Sequence, residues 1–506
     1  MSNSNRMLKS MLSVSGVIIF AKLLGFVRQI ITAITFGATI ETDLIMLGQG
    51  IIQNLDFVCA QTLITSFIPI YILEKRKGLA EEHNFVSAII KILFEVSLAI
   101  VIILVFGAPL FARILAPAYS KDLSDVLAHY IRIFAPTFIL IAETAVFNAL
   151  LKANKHFVSG ELLGVYQSIS FILCVLLLSG YIKADSLNLA FYLYVFISFM
   201  ILCISSRKWK LWSMTRGTPV YDHSVKRFLK TTLVVLFGYS MVFVNQQIDK
   251  MIASGMGEGV VTSVHYAAVL NNFVCALVAS TGGILFTYVT NEIMVKNDAG
   301  AAELIKGFSK LFIWLLIPIS VLTWIYSEDI VRIVFGRGEF NSTAVKACST
   351  ALKGYALGFV PYVMRELYGR VLYAYEDSKH ATVNSSVSIA INIVLSIVLS
   401  RFWGILGITI ASSISVACCG VLNLIYSHVK NRNLDLTAIS KEFLLCILGV
   451  LFFILITIGI GRIMPDVSAI IRLLLTAVIN ISISVVLMRK QIRKIVHLKI
   501  SHESDN

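Results

Sequence analysis

The segment MLSVSGVIIFAKLLGFVRQIITAITF, residues 11–36, decides the class of this protein. It is apolar apart from Lys22, Arg28, Gln29 and scattered hydroxyls. It exceeds the ~20 residues that cross a hydrocarbon core about 30 Å thick. A cleavable signal has an apolar core of only ~7–15 residues and a small-residue cleavage site after it, so this stretch is expected to remain as a first span. Working outward, comparable stretches fall at 43–73, 86–106, 124–151, 160–180, 187–205, 228–254, 260–290, 307–325, 344–372, 382–400, 404–427, 443–461 and 468–488. The expectation is an all-α, polytopic membrane protein with fourteen transmembrane helices. Composition agrees, with 57% hydrophobic and 14% charged residues, against about 25% charged in a soluble domain.

The cations alternate between gaps. One set holds Lys75, Arg76 and Lys77, then Lys152 and Lys155, then the run from Arg207 through Lys230, and finally Arg489 through Lys499. The opposite gaps hold few, among them Arg113, Lys121, Lys183 and Arg332. This asymmetry is the positive-inside signature, so both termini are expected on the cytoplasmic side of the membrane. It also accounts for most of the +14 net charge without a nucleic-acid partner, leaving anionic membrane lipids as the natural contact of the basic loops. Seven of the eight cysteines lie within apolar stretches and Cys348 at the edge of one, with no metal or disulfide spacing, so they read as small packing residues.

The halves 11–205 and 228–427 resemble each other. Gly107-Ala-Pro-Leu-Phe-Ala-Arg113-Ile-Leu recurs as Ser327-Glu-Asp-Ile-Val-Arg332-Ile-Val at an offset of 219. Leu151-Lys-Ala-Asn-Lys155-His156 recurs near Leu372 to His380, with the Lys-His pair offset by 224. Phe36-Gly37-Ala38 is matched to Ser254-Gly255-Met256. Six spans per half make a parallel repeat, whose interface is where repeat transporters hold substrate. The expected organisation is a six-helix bundle over 1–205, a basic cytoplasmic linker over 206–227, a second bundle over 228–427, and two additional helices with a basic tail over 428–506, carrying almost no internal polarity.

Ionisable groups inside a bilayer are costly and often mark a pathway. Lys22 and Gln29 are seven apart on one face of the first span, with Arg28 beside Gln29 and Gly25 between them. Together they suit a cationic wall for an anionic head group; snorkelling of Lys22 and pairing of Arg28 with an acid are the bland alternatives. Asp43 and Asp56 lie in the second span, Asp249 and Lys250 in the seventh, and Arg365, Glu366 and Arg370 in the tenth. Arg365 is a second candidate for the cleft, Arg370 a candidate for lipid phosphates, and Asp249 for a cation or proton. Glu95 and Glu143 read as structural acids. No Walker loop, HExxH or GxSxG occurs, so neither ATP hydrolysis nor covalent catalysis is expected, and no cofactor beyond a coupling ion.

Three stretches carry a family resemblance: Leu24-Gly-Phe-Val-Arg28 through Phe36-Gly-Ala38, Asp43 and Ser66-Phe-Ile-Pro69; Val244-Asn-Gln-Gln-Ile-Asp249 through Glu258-Gly259 and His265-Tyr-Ala267; and Ile330-Val-Arg332 through Phe340, Tyr355-Ala-Leu-Gly358, Arg370 to Ala374 and Asp377-Ser-Lys379. In these the chain resembles the MurJ/MviN flippases. The resemblance implies a non-enzymatic carrier of an undecaprenyl-diphosphate-linked saccharide, lipid II above all, moved between leaflets of the bacterial cytoplasmic membrane by alternating access. A capsule, O-antigen or exopolysaccharide precursor is the alternative cargo; a cation-coupled drug exporter and a membrane scaffold are more distant ones. Cell-wall synthesis proteins are the implied protein partners. Arg28 and Asp43 match the family's functional positions, and Lys22 keeps the positive charge of a usual arginine. A sodium site is implied at Asp249, Asn392 and Ser412, with Ser396 where an acid is frequent. Asp56-Phe57 stands in place of a usual arginine pair, and Val269 in place of another arginine.

Overall fold

The computed structural model describes residues 3–212, 222–463 and 467–489. The middle of the expected linker, 213–221, and the basic tail, 490–506, lie outside the described residues. Among the described residues the chain is helical, with no strand. Nineteen helices follow one another: α1 (Asn3–Phe36), α2 (Ile40–Lys77), α3 (Leu79–Phe106), α4 (Ala108–Leu115), α5 (Lys121–Phe134), α6 (Thr137–Ala153), α7 (Phe157–Glu161), α8 (Leu163–Ile182), α9 (Asp185–Lys208), α10 (His223–Ser254), α11 (Val260–Met294), α12 (Asp298–Ile325), α13 (Ser327–Val334), α14 (Ser342–Ala356), α15 (Phe359–Ala374), α16 (Ser378–Trp403), α17 (Ile405–Lys430), α18 (Leu436–Ile463) and α19 (Ala469–Leu487). Helices are what a membrane demands, because each satisfies its own backbone where no water can.

Twelve of the described helices are long and apolar enough to cross a membrane, and the pair α5–α6, bent by 42°, makes a thirteenth. Pro136 lies at that bend and lacks the N–H a continuous helix would use. The expected span 344–372 is not among them. It is two helices, α14 and α15, parted at Leu357-Gly358, and it does not pass as apolar, carrying Lys346, Lys353, Arg365, Glu366 and Arg370.

Packing divides the chain into two units, Met1–Thr262 with Arg337–Asn341, and Ser263–Gly336 with Ser342–Asn506. Helix α10, which opens the second half of the sequence repeat, packs on α2 and belongs to the first unit. The first unit has a core of Phe67, Tyr71, Phe85, Phe147, Trp212 and Phe228. The second is built around Phe308, Phe312, Phe359, Leu367, Tyr368 and Phe453.

The backbone repeats where the sequence does. Helices α4 and α13 each have eight residues and start 219 positions apart. After α6, Lys155 takes φ 65° and His156 N donates to Leu151 O at 2.9 Å. After α15, Glu376 takes φ 58° and Asp377 N donates to Leu372 O at 2.8 Å. Both are Schellman ends, in which a left-handed residue lets the chain reach back to the last turn. Lys183 (φ 48°, ψ −132°) and Gly404 (φ 54°, ψ −129°) end α8 and α16 in a shared turn of another kind. These turns align at an offset of 221, so the Lys-His likeness at 224 is displaced by three residues from the structural match. Gly37 (φ 65°) follows the end of α1 as Gly255 (φ −83°) follows the end of α10, so these matched ends differ in backbone, while Gly259 (φ 73°) directly precedes α11.

Each unit also braces one end with a Tyr–acid–Asn network. Tyr71 donates to Glu82 and accepts from Asn154 Nδ2 at 2.8 Å. Tyr375 donates to Asp298 Oδ1 and accepts from Asn431 Nδ2, both at 2.9 Å. Helices α18 and α19 pack on α12 along a polar seam, contrary to the apolar expectation. Asn480 Nδ2 donates to Thr457 Oγ1 at 2.9 Å and Ser484 Oγ donates to the Trp314 carbonyl.

Candidate substrate- and ion-binding residues

In the first unit, α1 lies along α8. A Cβ at Gly25 would stand in ordinary van der Waals contact with Ser168 Oγ at 3.7 Å, so this packing does not require glycine. Helix α1 runs through Gly25 without a break. Three positions on, the half-buried Arg28 guanidinium stacks over the Phe171 ring with Cζ 5.0 Å from its centroid. A guanidinium over an aromatic face is held flat against the ring, which fixes where its charge lies. Gln29 beside it is half-buried, and Lys22 is exposed.

Asp43 has a different place from the one expected. It is 0% exposed, and its Oδ1 accepts the Thr262 backbone N–H at 2.7 Å, at the start of α11. The first turn of a helix has N–H groups without intrahelical partners and a partial positive charge. Asp43 meets both, so it joins the α2 and α11 starts and does not face a ligand. Ile40 N donating to Glu258 Oε1 at 3.2 Å, and Thr262 with Thr42 hydroxyl to hydroxyl at 3.2 Å, reinforce that joint. Gly259 is required beside it, because at φ 73° a Cβ would fall 2.2 Å from the Ala38 carbonyl oxygen.

In the second unit, the break between α14 and α15 opens a cavity of about 260 Å³ lined by Asn271, Asn272, Tyr355, Tyr362, Arg365 and Ser412, among others. Arg365 is exposed there with no acid in salt-bridge reach among the described residues. Its neighbours sort themselves otherwise: Arg370 pairs with Glu366 at 2.7 Å and donates to the Ala279 carbonyl at 3.3 Å, and its guanidinium packs against Gly282. Arg370 is therefore held within the protein and not offered to lipid phosphates. The cavity combines one unneutralised cation with amides and phenols, a set suited to an anionic, hydroxyl-rich ligand.

The implied sodium ligands separate. Asn384, Ser388, Asn392 and Ser396 form a buried stripe at four-residue spacing on α16, against α17. Ser396 Oγ donates to Asn392 Oδ1 at 3.1 Å, and Ser388 Oγ to the Ser415 carbonyl at 2.7 Å. Ser412 donates to Ile408 O at 3.3 Å and opens on the Arg365 cavity. Asp249 belongs to the first unit. Within the second unit this set therefore offers neutral oxygens only, two of them bonded to each other, and one beside a guanidinium. That arrangement does not by itself fit a sodium ion, and no group of three or more His, Cys, Asp or Glu poised for a metal occurs among the described residues.

Outside the spans, Asp377 caps α16 and accepts from Lys430 Nζ at 2.9 Å and His380 Nδ1 at 2.8 Å. Chiefly Lys430, then His380, hold its carboxyl down to about 2. Sequence reasoning missed this joint; the signal was an Asp three residues before a His at a helix start.

Fold and site together define a multi-spanning membrane protein of two helical units, with Arg28 on a span of the first and Arg365 lining a cavity in the second. The model of the family described as lipid II flippase MurJ matches residues 32–479, and the chain belongs to that family. A probable lipid II flippase MurJ of Rhizobium tropici is 23% identical over 421 residues, covering 81% of this chain and 78% of that one. One from Vibrio cholerae is 22% identical over 430 residues, covering 81% of each. In fold, a structure titled lipid II flippase MurJ, inward closed conformation, matches with a TM-score of 0.80 at 20% identity, over 95% of this chain and all of that one. An inward-facing multidrug resistance MATE family transporter of the MOP superfamily matches with a TM-score of 0.67 at 11% identity, over 82% of this chain and 94% of that one.

Proposed function

We propose that this protein flips lipid II, or a close peptidoglycan precursor, from the inner to the outer leaflet of a bacterial cytoplasmic membrane by alternating access. The observation that carries the reading is family membership across residues 32–479. Arg28 over Phe171 and Arg365 in its cavity support it, as cations that a diphosphate can engage. The alternation of basic gaps supports cytoplasmic termini, with Arg207, Lys208, Lys226, Arg227 and Lys230 meeting anionic lipid head groups. Cell-wall synthesis proteins are the partners such a carrier would serve. Asp249 is the ion-responsive acid of α10 in this reading, and Asp249→Asn should weaken any dependence of transport on a sodium or proton gradient. Transport that keeps its full gradient response in that variant removes Asp249 from coupling.

A second reading, a different polyprenyl-diphosphate-linked saccharide, is favoured by Asp56-Phe57 in α2, which leaves fewer cations for the diphosphate. One experiment separates the two. Expressed in a strain depleted of its own lipid II flippase, the protein should restore growth and surface exposure of lipid II. Normal membrane levels without rescue would overturn the lipid II assignment and leave the second reading.

A further inference from the structure

Lys250 is a membrane-embedded cation to which the reading above gives no task. Its helix, α10, lies against α2 in the first unit. The two run antiparallel: Lys250 meets Gly50, and further along the Tyr239 ring meets Phe57 edge-on, with centroids 6.0 Å apart. Gly50 is buried, and the Lys250 ammonium fills the room its missing side chain leaves, since a Cβ there would stand 2.6 Å from Nζ. The ammonium is therefore turned across the seam between the helices. No ion pair or hydrogen bond holds it among the described residues. An unpaired ammonium inside a bilayer is costly and calls for a partner.

A second observation points to what that partner is. Gln247 lies three residues before Lys250, and side chains so spaced share a helix face with Cβ atoms about 5–6 Å apart. Gln247 is 8% exposed, and neither its Nε2 nor its Oε1 has a hydrogen-bond partner among the described residues. Across the seam, Asn54 stands one turn along α2 from Gly50 and one turn before Phe57, and its buried Nδ2 is unpartnered too. Buried amides are normally satisfied, so two orphans beside a lone ammonium mark a place for a group that all three can bond. The ammonium brings three hydrogens and each amide nitrogen two. A donor-rich, positively charged set of this kind suits an anion with several oxygens and repels a metal cation. The acids nearby are engaged elsewhere. Asp56 lines a separate cavity of about 40 Å³ with residues of α6 and α9, Asp43 is sealed on the α11 start, and Asp249 has interactions of its own.

We propose that Lys250, Gln247 and Asn54 form an anion site in the α2–α10 seam that takes a phosphate group. The ammonium supplies the charge, as lysine does at phosphate sites, and the amides fix individual oxygens by N–H donation. Gly50 keeps the seat open, because a methyl group there would push the ammonium aside. The phosphate comes either from inorganic diphosphate in the water or from the diphosphate of a polyprenyl-linked saccharide. The second source deepens the flippase reading above and rests on it, with Lys250 as a further cation for the cargo; the site itself does not rest on it.

The test uses the purified full-length protein in detergent, with binding of inorganic diphosphate and of undecaprenyl diphosphate measured by titration calorimetry. Lys250→Met keeps the length of the side chain without its charge. Gly50→Ala keeps the charge and adds a good helix former, while its methyl group displaces the ammonium. Affinity for both probes should fall at least tenfold in Lys250→Met and severalfold in Gly50→Ala. Unchanged affinity for both probes in Lys250→Met overturns the site, as does a parent protein that binds neither, which would leave only water in the seam. Gly50→Ala binding as tightly as the parent overturns the seat on Gly50. Inorganic diphosphate weakened by the variants, with undecaprenyl diphosphate untouched, upholds the site and overturns the cargo as its source. The reverse result upholds the site with the lipid as its source. Binding lost as expected, in a protein that flips no lipid II in liposomes, overturns the flippase reading and upholds the site.

Discussion

Arg28 and Asp43 both sit where the family resemblance places functional residues, yet their surroundings give them unlike tasks. Arg28 rests its guanidinium on Phe171, half-buried in the first unit. A charge-assisted hydrogen bond to a phosphate contributes about 1.5–3 kcal/mol, so Arg28→Ala should slow flipping of a diphosphate lipid roughly ten- to a hundredfold, with membrane levels unchanged. An undiminished rate in reconstituted liposomes would remove Arg28 from the site. Asp43 is sealed against the α11 start, so Asp43→Ala should act on stability instead. Losing a charged partner of buried N–H groups costs about 1–3 kcal/mol, to be read as a lower melting temperature in detergent before any change in cargo affinity. Ligand binding lost at an unaltered melting temperature would return Asp43 to the binding surface. Neither difference was legible in the chain, because an Asp in an apolar stretch looks the same whether it meets a ligand or a distant helix end.

At the scale of elements, close approach between helices decides what a side chain can become. Gly354 of α14 meets α17 so tightly that a Cβ would lie 1.9 Å from Thr409 Oγ1, and its carbonyl accepts from Ser413 Oγ at 2.7 Å. Gly354→Ala should therefore cost roughly 1–3 kcal/mol through overpacking, and it should disturb the Arg365 cavity that the neighbouring break creates. A melting temperature equal to the parent's would show that α17 can yield there. The start of α16 offers a pH-dependent contact. Asp377 has a folded value depressed to about 2 by Lys430 and His380, against about 3.9 when unfolded. Its contribution is present above the unfolded value and lost as pH falls from about 4 to about 2. Melting of the parent and of Asp377→Asn should thus differ near neutral pH and converge toward about pH 2; a gap that persists in acid would exclude this ion pair as its source. Helices α16 and α17, which supply the partners of these groups, were readable from hydropathy. The breaks at Pro136 and Gly358 were not placed, because hydropathy averages over the residues that interrupt a helix.

For the whole molecule, the repeat is stronger in backbone than in sequence. Lys155 and Glu376, 221 positions apart, hold the same left-handed turn with unlike side chains. A non-glycine residue there carries about 1–2 kcal/mol of conformational cost, part of which glycine gives back through greater freedom in the unfolded chain. Lys155→Gly and Glu376→Gly should each raise stability by up to about 1 kcal/mol, and the gains should add because the turns share no partner. Opposite signs for the two would mean that the turns are not equivalent. Hydrophobic stretches, the alternation of cations and the family motifs were determined by the sequence alone, since a membrane forces each span to satisfy its own backbone and to be apolar by itself. Tertiary structure alone decided which embedded charges have partners: Arg370 on Glu366, Asp43 on the start of α11, Arg365 and Asp56 each on a cavity. Those outcomes depend on which helix lies alongside, and the neighbour arrives from far along the chain, where no local pattern records it.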